Sequence, residues 1–151
     1  MKIDGHIRRG VWVAAIMFLA GIDAAACTCD LPSPKRPLKQ LVNLARKDSR
    51  AVFSGRVLKI DEAGYPLRVT IRVNKSWKGV LPTEVLLLTG NGLGDCGYLF
   101  EVGQNYLVYA YGPDVDHLGT NICQRTAPLS AGGGDLKILG RPVRRNVARS
   151  G

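Results

Sequence analysis

The sequence predicts a mainly β domain, a small closed or nearly closed barrel of five strands flanked by one or two helices and held by two disulfides. Three observations carry this. Short strand-length apolar or alternating stretches recur between glycine-rich turns, which suits a small barrel better than a parallel α/β sheet. Only the stretch around Leu38–Ala45 has clear helical spacing. All four cysteines, at 27, 29, 96 and 123, follow an apolar leader, the pattern of a small exported domain with paired thiols.

In order along the chain, Lys2, Arg8 and Arg9 precede an apolar run from Val11 to Ile22, and Ala24-Ala25-Ala26 supply the small residues of a signal-peptidase site. Residues 1–26 are therefore expected to be a signal peptide, too short in its apolar part to span a bilayer. The product would begin at Cys27 and be secreted, to the periplasm or the extracellular space, with no transmembrane span. Pro32, Pro34 and Pro37 keep the next stretch extended. Leu38, Leu41, Val42 and Ala45 then recur at helical spacing and predict a short amphipathic helix. Ala51 to Ile60 reads as a strand, with Gly55 where it bulges or bends, and Asp61 to Pro66 as a turn. From Arg68 the pattern alternates, Val69, Ile71 and Val73 facing the core, until Trp77-Lys78-Gly79 ends the strand. Val85 to Leu88 is continuously apolar, as in a strand buried on both faces, and Tyr106 to Tyr111 predicts the fourth strand after a turn at Gly103. Thr120 to Cys123 is the fifth, and Asp135 to Leu139 a last short helix. One domain is expected over residues 27–139, followed by a basic, mobile tail over 140–151 that contains Arg141, Arg144, Arg145 and Arg149.

Charge bounds the partners. Removing Lys2, Arg8, Arg9, Asp4 and Asp23 from the 21 basic and 12 acidic residues leaves 18 and 10, so the exported chain stays near +8. Such a surface can adhere to polyanions, the basic tail above all, although scattered Lys and Arg also simply keep a surface solvated. Tyr98, Tyr106, Tyr109 and Tyr111 invite comparison with base-stacking barrels, but export and the missing aromatic-basic strand pattern speak against nucleic acid.

The cysteines read as disulfides rather than as a zinc site, since His117 is the only histidine after the leader and no C-x-x-C pair is present. Cys27 and Cys29 are too close in an extended chain to join each other without strain, which leaves two pairings of this couple with Cys96 and Cys123. Either staples the N-terminus to the body; closing a loop from Cys27 to Cys96 contributes about 4 kcal/mol in the chain-entropy treatment. No cofactor is expected. Nor is enzymatic activity: Gly90-Asn91-Gly92-Leu93-Gly94-Asp95 has a misplaced third glycine for a dinucleotide loop and reads as a flexible connection, and His117, in a polar loop with Asp114 and Asp116, reads as a surface histidine without a nucleophile. Asp61 with Glu62 reads as a solvated turn.

Taken together, several motifs carry a family likeness. Cys27-Thr28-Cys29 at a processed N-terminus, Val52-Phe53-Ser54-Gly55, Trp77-Lys78-Gly79, Cys96-Gly97-Tyr98, Gly103, Tyr106-Leu107-Val108-Tyr109 and Cys123-Gln124-Arg125-Thr126 follow one another in this order. The chain resembles the N-terminal inhibitory domain of the tissue inhibitors of metalloproteinases, within the netrin-like group, in a short single-domain form of bacterial type. The resemblance implies an OB-fold-like barrel and the pairing of Cys27 with Cys96 and Cys29 with Cys123. It also implies inhibition of a zinc metalloprotease in trans, in which the main-chain nitrogen and oxygen of Cys27 chelate the target's catalytic zinc and displace its water; the chain holds no metal of its own. Thr28 would then enter the specificity pocket, with Cys29, Asp30 and Leu31 along the cleft and Asp95 and Tyr98 on a neighbouring contact edge. A different expectation is an interaction module that binds an acidic protein or polyanion without inhibiting anything, favoured if Cys27 were lipidated; Ala24, however, stands where a lipobox has leucine.

Overall fold

The computed structural model describes residues 27–29 and 35–143. The expected signal peptide at 1–26, Asp30 and Leu31 of the expected wedge, and residues 144–151 of the expected tail lie outside the described residues.

Helix α1, Leu38–Asp48, starts directly after Pro37, whose fixed φ suits a helix start. Val42 is buried while Arg46 and Lys47 occupy the last turn, where cations complement the helix dipole. Its C-terminal carbonyls are capped from outside the helix: Lys78 Nζ donates to Arg46 O at 2.9 Å and to Lys47 O at 2.7 Å, and the Ser49 hydroxyl donates to Ala45 O at 2.7 Å.

Strands β1, Ala51–Asp61, and β2, Leu67–Lys78, form a long antiparallel hairpin. The register slips between Ser54 and Gly55, and there a Cβ would sit 2.6 Å from the Arg72 carbonyl oxygen, so the bulge requires glycine. Strand β3, Glu84–Thr89, pairs with β2, and β4, Asn105–Ala110, with β1. Two short strands finish the sheet: β5, Leu118–Gly119, parallel to β3, and β6, Ala127–Pro128, antiparallel to β4. The order is β5-β3-β2-β1-β4-β6, a curled half-barrel of six strands rather than the five expected. The fifth, expected at Thr120–Cys123, is instead Leu118–Gly119, and the chain leaves it at once for a turn in which Cys123 N donates to Asn121 Oδ1 at 2.9 Å. The sixth was not expected, because a two-residue strand containing proline has no periodicity to read. Just beyond β4, Tyr111 and Gly119 exchange both main-chain hydrogen bonds at 2.9 Å, drawing β5 toward the far side of the sheet.

Two apolar clusters explain why β1 is buried on both faces. One, inside the curl, joins Phe53, Val57, Ile71, Leu87, Val108 and Leu118. The other joins Val52, Trp77, Leu107 and Tyr109 to Val42 of α1 and Leu139 of α2, the helix Gly133–Leu139. Strand β3 corrects the expectation of burial on both faces: Val85 and Leu87 point inward but Leu86 is 45% exposed, because neither helix covers that part of the sheet. The chain after α2 does not leave the body at once. Trp77 Nε1 donates to Gly140 O at 2.8 Å, and Val143 N donates to Ser76 O at 2.6 Å.

Candidate functional site

The N-terminal cysteines are each tied to a different loop. Cys27 is bonded to Cys96, in the β3–β4 loop, with Cα atoms 5.3 Å apart; Cys29 is bonded to Cys123, in the β5–β6 loop, with Cα atoms 5.2 Å apart. This is the pairing that the resemblance implies, and it leaves no free cysteine among the described residues. Cys27 and Cys29 are half-buried, and Thr28 between them is exposed. The sulfurs of Cys27, Cys29 and Cys123 lie within 4.8 Å of one another, so the two bridges sit side by side. A metal needs thiolates, and disulfide bonding consumes all of these sulfurs. The two loops are also joined directly, Ile122 N donating to Cys96 O at 2.9 Å.

The β3–β4 loop is organised from within by Asp95, whose carboxylate accepts main-chain N–H groups from Asn91 at 2.7 Å, Gly92 at 2.9 Å and Gly97 at 2.9 Å. The Gly97 and Asn91 bonds hold its carboxyl below the usual carboxylate range. The Tyr65 hydroxyl, from the β1–β2 turn, is a further partner, and the charge of Asp95 pushes the Tyr65 phenol up. A Cβ on Gly90 would run into the Asp95 carboxylate, and one on Gly97 into the Gly90 backbone, so the glycines permit a close-packed turn. The segment expected to be a flexible loop is thus internally hydrogen-bonded. Its charge is spent on its own backbone.

Tyr98 is half-buried. Its ring lies 4.8 Å from that of Phe100 and 5.9 Å, edge-on, from that of Tyr106, and burial pushes its phenol up. Its main chain exchanges hydrogen bonds with the Thr89 hydroxyl. Asp95 and Tyr98 therefore flank Cys96 as anchors of the loop. The large apolar side chains exposed on these two loops include Leu93 at 85%, Leu99 at 69% and Ile122 at 51%, which sequence reasoning did not single out. Leu99, Ile122, Tyr98 and the Cys27–Cys96 bridge line a shallow groove of roughly 330 Å³. An isolated leucine in a glycine-rich loop is the signal that was available.

Behind Cys123, the Thr120 hydroxyl donates to Tyr109 O at 3.1 Å and lies 2.8 Å from the Thr126 hydroxyl. Arg125 reaches Asp135 of α2 through Nε at 2.9 Å and Nη2 at 2.7 Å, and the Tyr109 hydroxyl donates to the same carboxylate at 2.8 Å. The β5–β6 loop is thereby bolted to the helix layer. His117 is exposed, its Nδ1 2.8 Å from Asp114 Oδ1, and this contact holds the Asp114 carboxyl low.

Comparison with protein-family models and with curated proteins finds no match to this chain. No helix among the described residues is long and apolar enough to cross a membrane.

Proposed function

We propose that the chain, cut after Ala26, is an exported inhibitor of zinc metalloproteases that acts through the main chain of Cys27. The observation that carries this reading is the double staple: Cys27 and Cys29, on either side of an exposed Thr28, are each bonded to a separate loop of the body. A segment held in this way loses little conformational freedom on entering a cleft. Two disulfides in a small basic domain also suit an oxidising compartment.

In this reading the α-amino nitrogen and carbonyl oxygen of Cys27 take the open position on the target's zinc and exclude the water that would attack substrate. An ordinary α-amino pKa of about 7.7 to 8.0 makes the neutral amine accessible near neutral pH. Thr28 occupies the specificity pocket, and Leu93, Leu99 and Ile122 supply the apolar rim that docks on the protease surface. We also read the sheet as an OB-fold-like barrel, a reading supported by the parallel β3–β5 pairing and the Tyr111–Gly119 bridge.

The test has two parts. Intact mass before and after reduction and alkylation should give a chain starting at Cys27 whose four cysteines alkylate only after reduction. That protein should inhibit a zinc protease from a panel, and the same protein with one alanine added ahead of Cys27 should not, while keeping its fold. Equal inhibition by the extended protein would sink chelation, and a lipid-sized mass increment on Cys27 would remove the mechanism altogether.

A further inference from the structure

The outward face of the sheet, away from the curl, carries a basic row that neither core cluster uses. Register aligns Asn105, Arg56, Arg72 and Glu84 side by side across β4, β1, β2 and β3. Arg56 and Arg72 stand directly opposite each other, a like-charge arrangement that weakens an antiparallel pair. Glu84 compensates only one of them, its Oε1 lying 3.3 Å from Arg72 Nη2. Among the described residues Arg56 and Lys75 make no ion pair. Toward α2 this face opens into a groove of roughly 550 Å³ lined by Ser54, Asn74, Lys75, Asn105, Leu129 and Pro142. Ser54 and Lys75 are opposite one another in register, and Asn74 Nδ2 donates to Asn105 Oδ1 at 3.2 Å, which leaves an amide oxygen of one and an amide N–H group of the other for a ligand.

We propose that this face binds an anionic polysaccharide. Lys75, Arg56 and Arg72 take its sulfate, phosphate or carboxylate groups, while Ser54, Asn74 and Asn105 bond its hydroxyls. An anion bridging the two arginines relieves their repulsion and adds charge-assisted hydrogen bonds. The apolar C–H face of a sugar ring suits Leu129 and Pro142. Single-stranded nucleic acid fits less well because it needs aromatic platforms: Trp77, the aromatic residue lining the groove, is only 4% exposed and its ring nitrogen is held by Gly140, while the exposed Tyr65 and Tyr111 belong to other parts of the chain. No residue of the Cys27 site lines the groove, so this binding stands apart from inhibition.

The experiment is calorimetric titration of the exported protein with dextran sulfate at about 0.15 M salt, with neutral dextran and an oligothymidylate as comparison probes. Dextran sulfate should bind more tightly than either. Arg56→Gln combined with Lys75→Gln should weaken it by about tenfold or more with an unchanged near-ultraviolet spectrum, as loss of charged hydrogen bonds requires. Asn105→Ala should weaken it less and leave the salt dependence unchanged, whereas Arg56→Gln should flatten that dependence. Full affinity in the Arg56/Lys75 variant, loss only on changing Arg144 and Arg145, or equal binding of the oligothymidylate would each overturn the assignment.

Discussion

Asp95 Oδ1 accepts the main-chain N–H of Gly97 at 2.9 Å, closing a tight turn around the disulfide cysteine between them. Cys96 adopts φ +60°, a left-handed conformation that costs a residue with a side chain, and the bonds of Asp95 to Asn91, Gly92 and Gly97 hold it there. Replacing Asp95 with asparagine should remove the charge from these bonds and loosen the loop on which Cys27 is anchored. Amide hydrogen exchange at Asn91, Gly92 and Gly97 should accelerate in this variant while the β1–β2 amides keep their protection. The folded-state pKa of Asp95 is depressed, so its contribution is present above the unfolded value of about 3.9 and is lost as pH falls through the folded value. Wild-type protection at these three amides should therefore persist at pH 5 and disappear only in stronger acid; loss already at pH 5 would contradict the assignment.

Arg125 and Asp135 predict a larger effect on global stability. Asp135 is 8% exposed and accepts from both Arg125 and Tyr109, so Arg125→Met leaves a buried carboxylate with its main cation gone. The cost should be about 3 kcal/mol, read as a lower urea midpoint with an unchanged slope. Changing Asp135 to leucine in the same chain should recover part of that loss, because no unpaired charge then remains buried. A double variant as unstable as the sum of the two single changes would show that the pair does not act as a unit.

Tyr109 should make its contribution visible in alkali. Burial, followed by the hydrogen bond and charge of Asp135, pushes its phenol well above the ordinary value of about 10. A raised folded-state pKa gives stability that is fully present below the unfolded pKa and declines as pH rises toward the folded one. Above about pH 10 the wild type should thus lose about 1.4 kcal/mol per pH unit from this group, and Tyr109→Phe, already weaker at neutral pH by about 1 kcal/mol, should lack that component. Parallel alkaline profiles of the two proteins would refute it.

Much of the framework was legible in the chain because it depends on local periodicity. Leu38, Leu41, Val42 and Ala45 marked α1, and Val69, Ile71 and Val73 marked the inward face of β2. What escaped is set by long-range partners. Val52 and Leu107 look like ordinary strand residues, yet both are buried on the outward face because the helices lie there. Ala127-Pro128 becomes a strand only by pairing with Tyr106 and Leu107. Leu86 reads as core and is exposed for want of a covering helix. At the candidate site, the C-x-C pattern marked the stapled end, but the spacing alone left two pairings open. The part played by Asp95 was hidden because its partners are backbone N–H groups, which leave no trace in residue identity.

Leu93 and Leu99 offer the sharpest separation of docking from folding. Both are far more exposed than a stable domain requires, at 85% and 69%, and their side chains belong to neither apolar cluster. Leu93→Ser and Leu99→Ser should each shift stability by no more than about 0.5 kcal/mol, the usual range for surface changes. If the loop is the apolar rim of an inhibitory surface, the same variants should weaken inhibition of a susceptible zinc protease by about tenfold, chiefly through faster dissociation, as truncation of an interface anchor does. Stopped-flow association and dissociation rates for the wild type and the two variants decide the matter: unchanged dissociation would place the contact surface elsewhere, while a large drop in melting temperature would mean that these leucines support the fold after all.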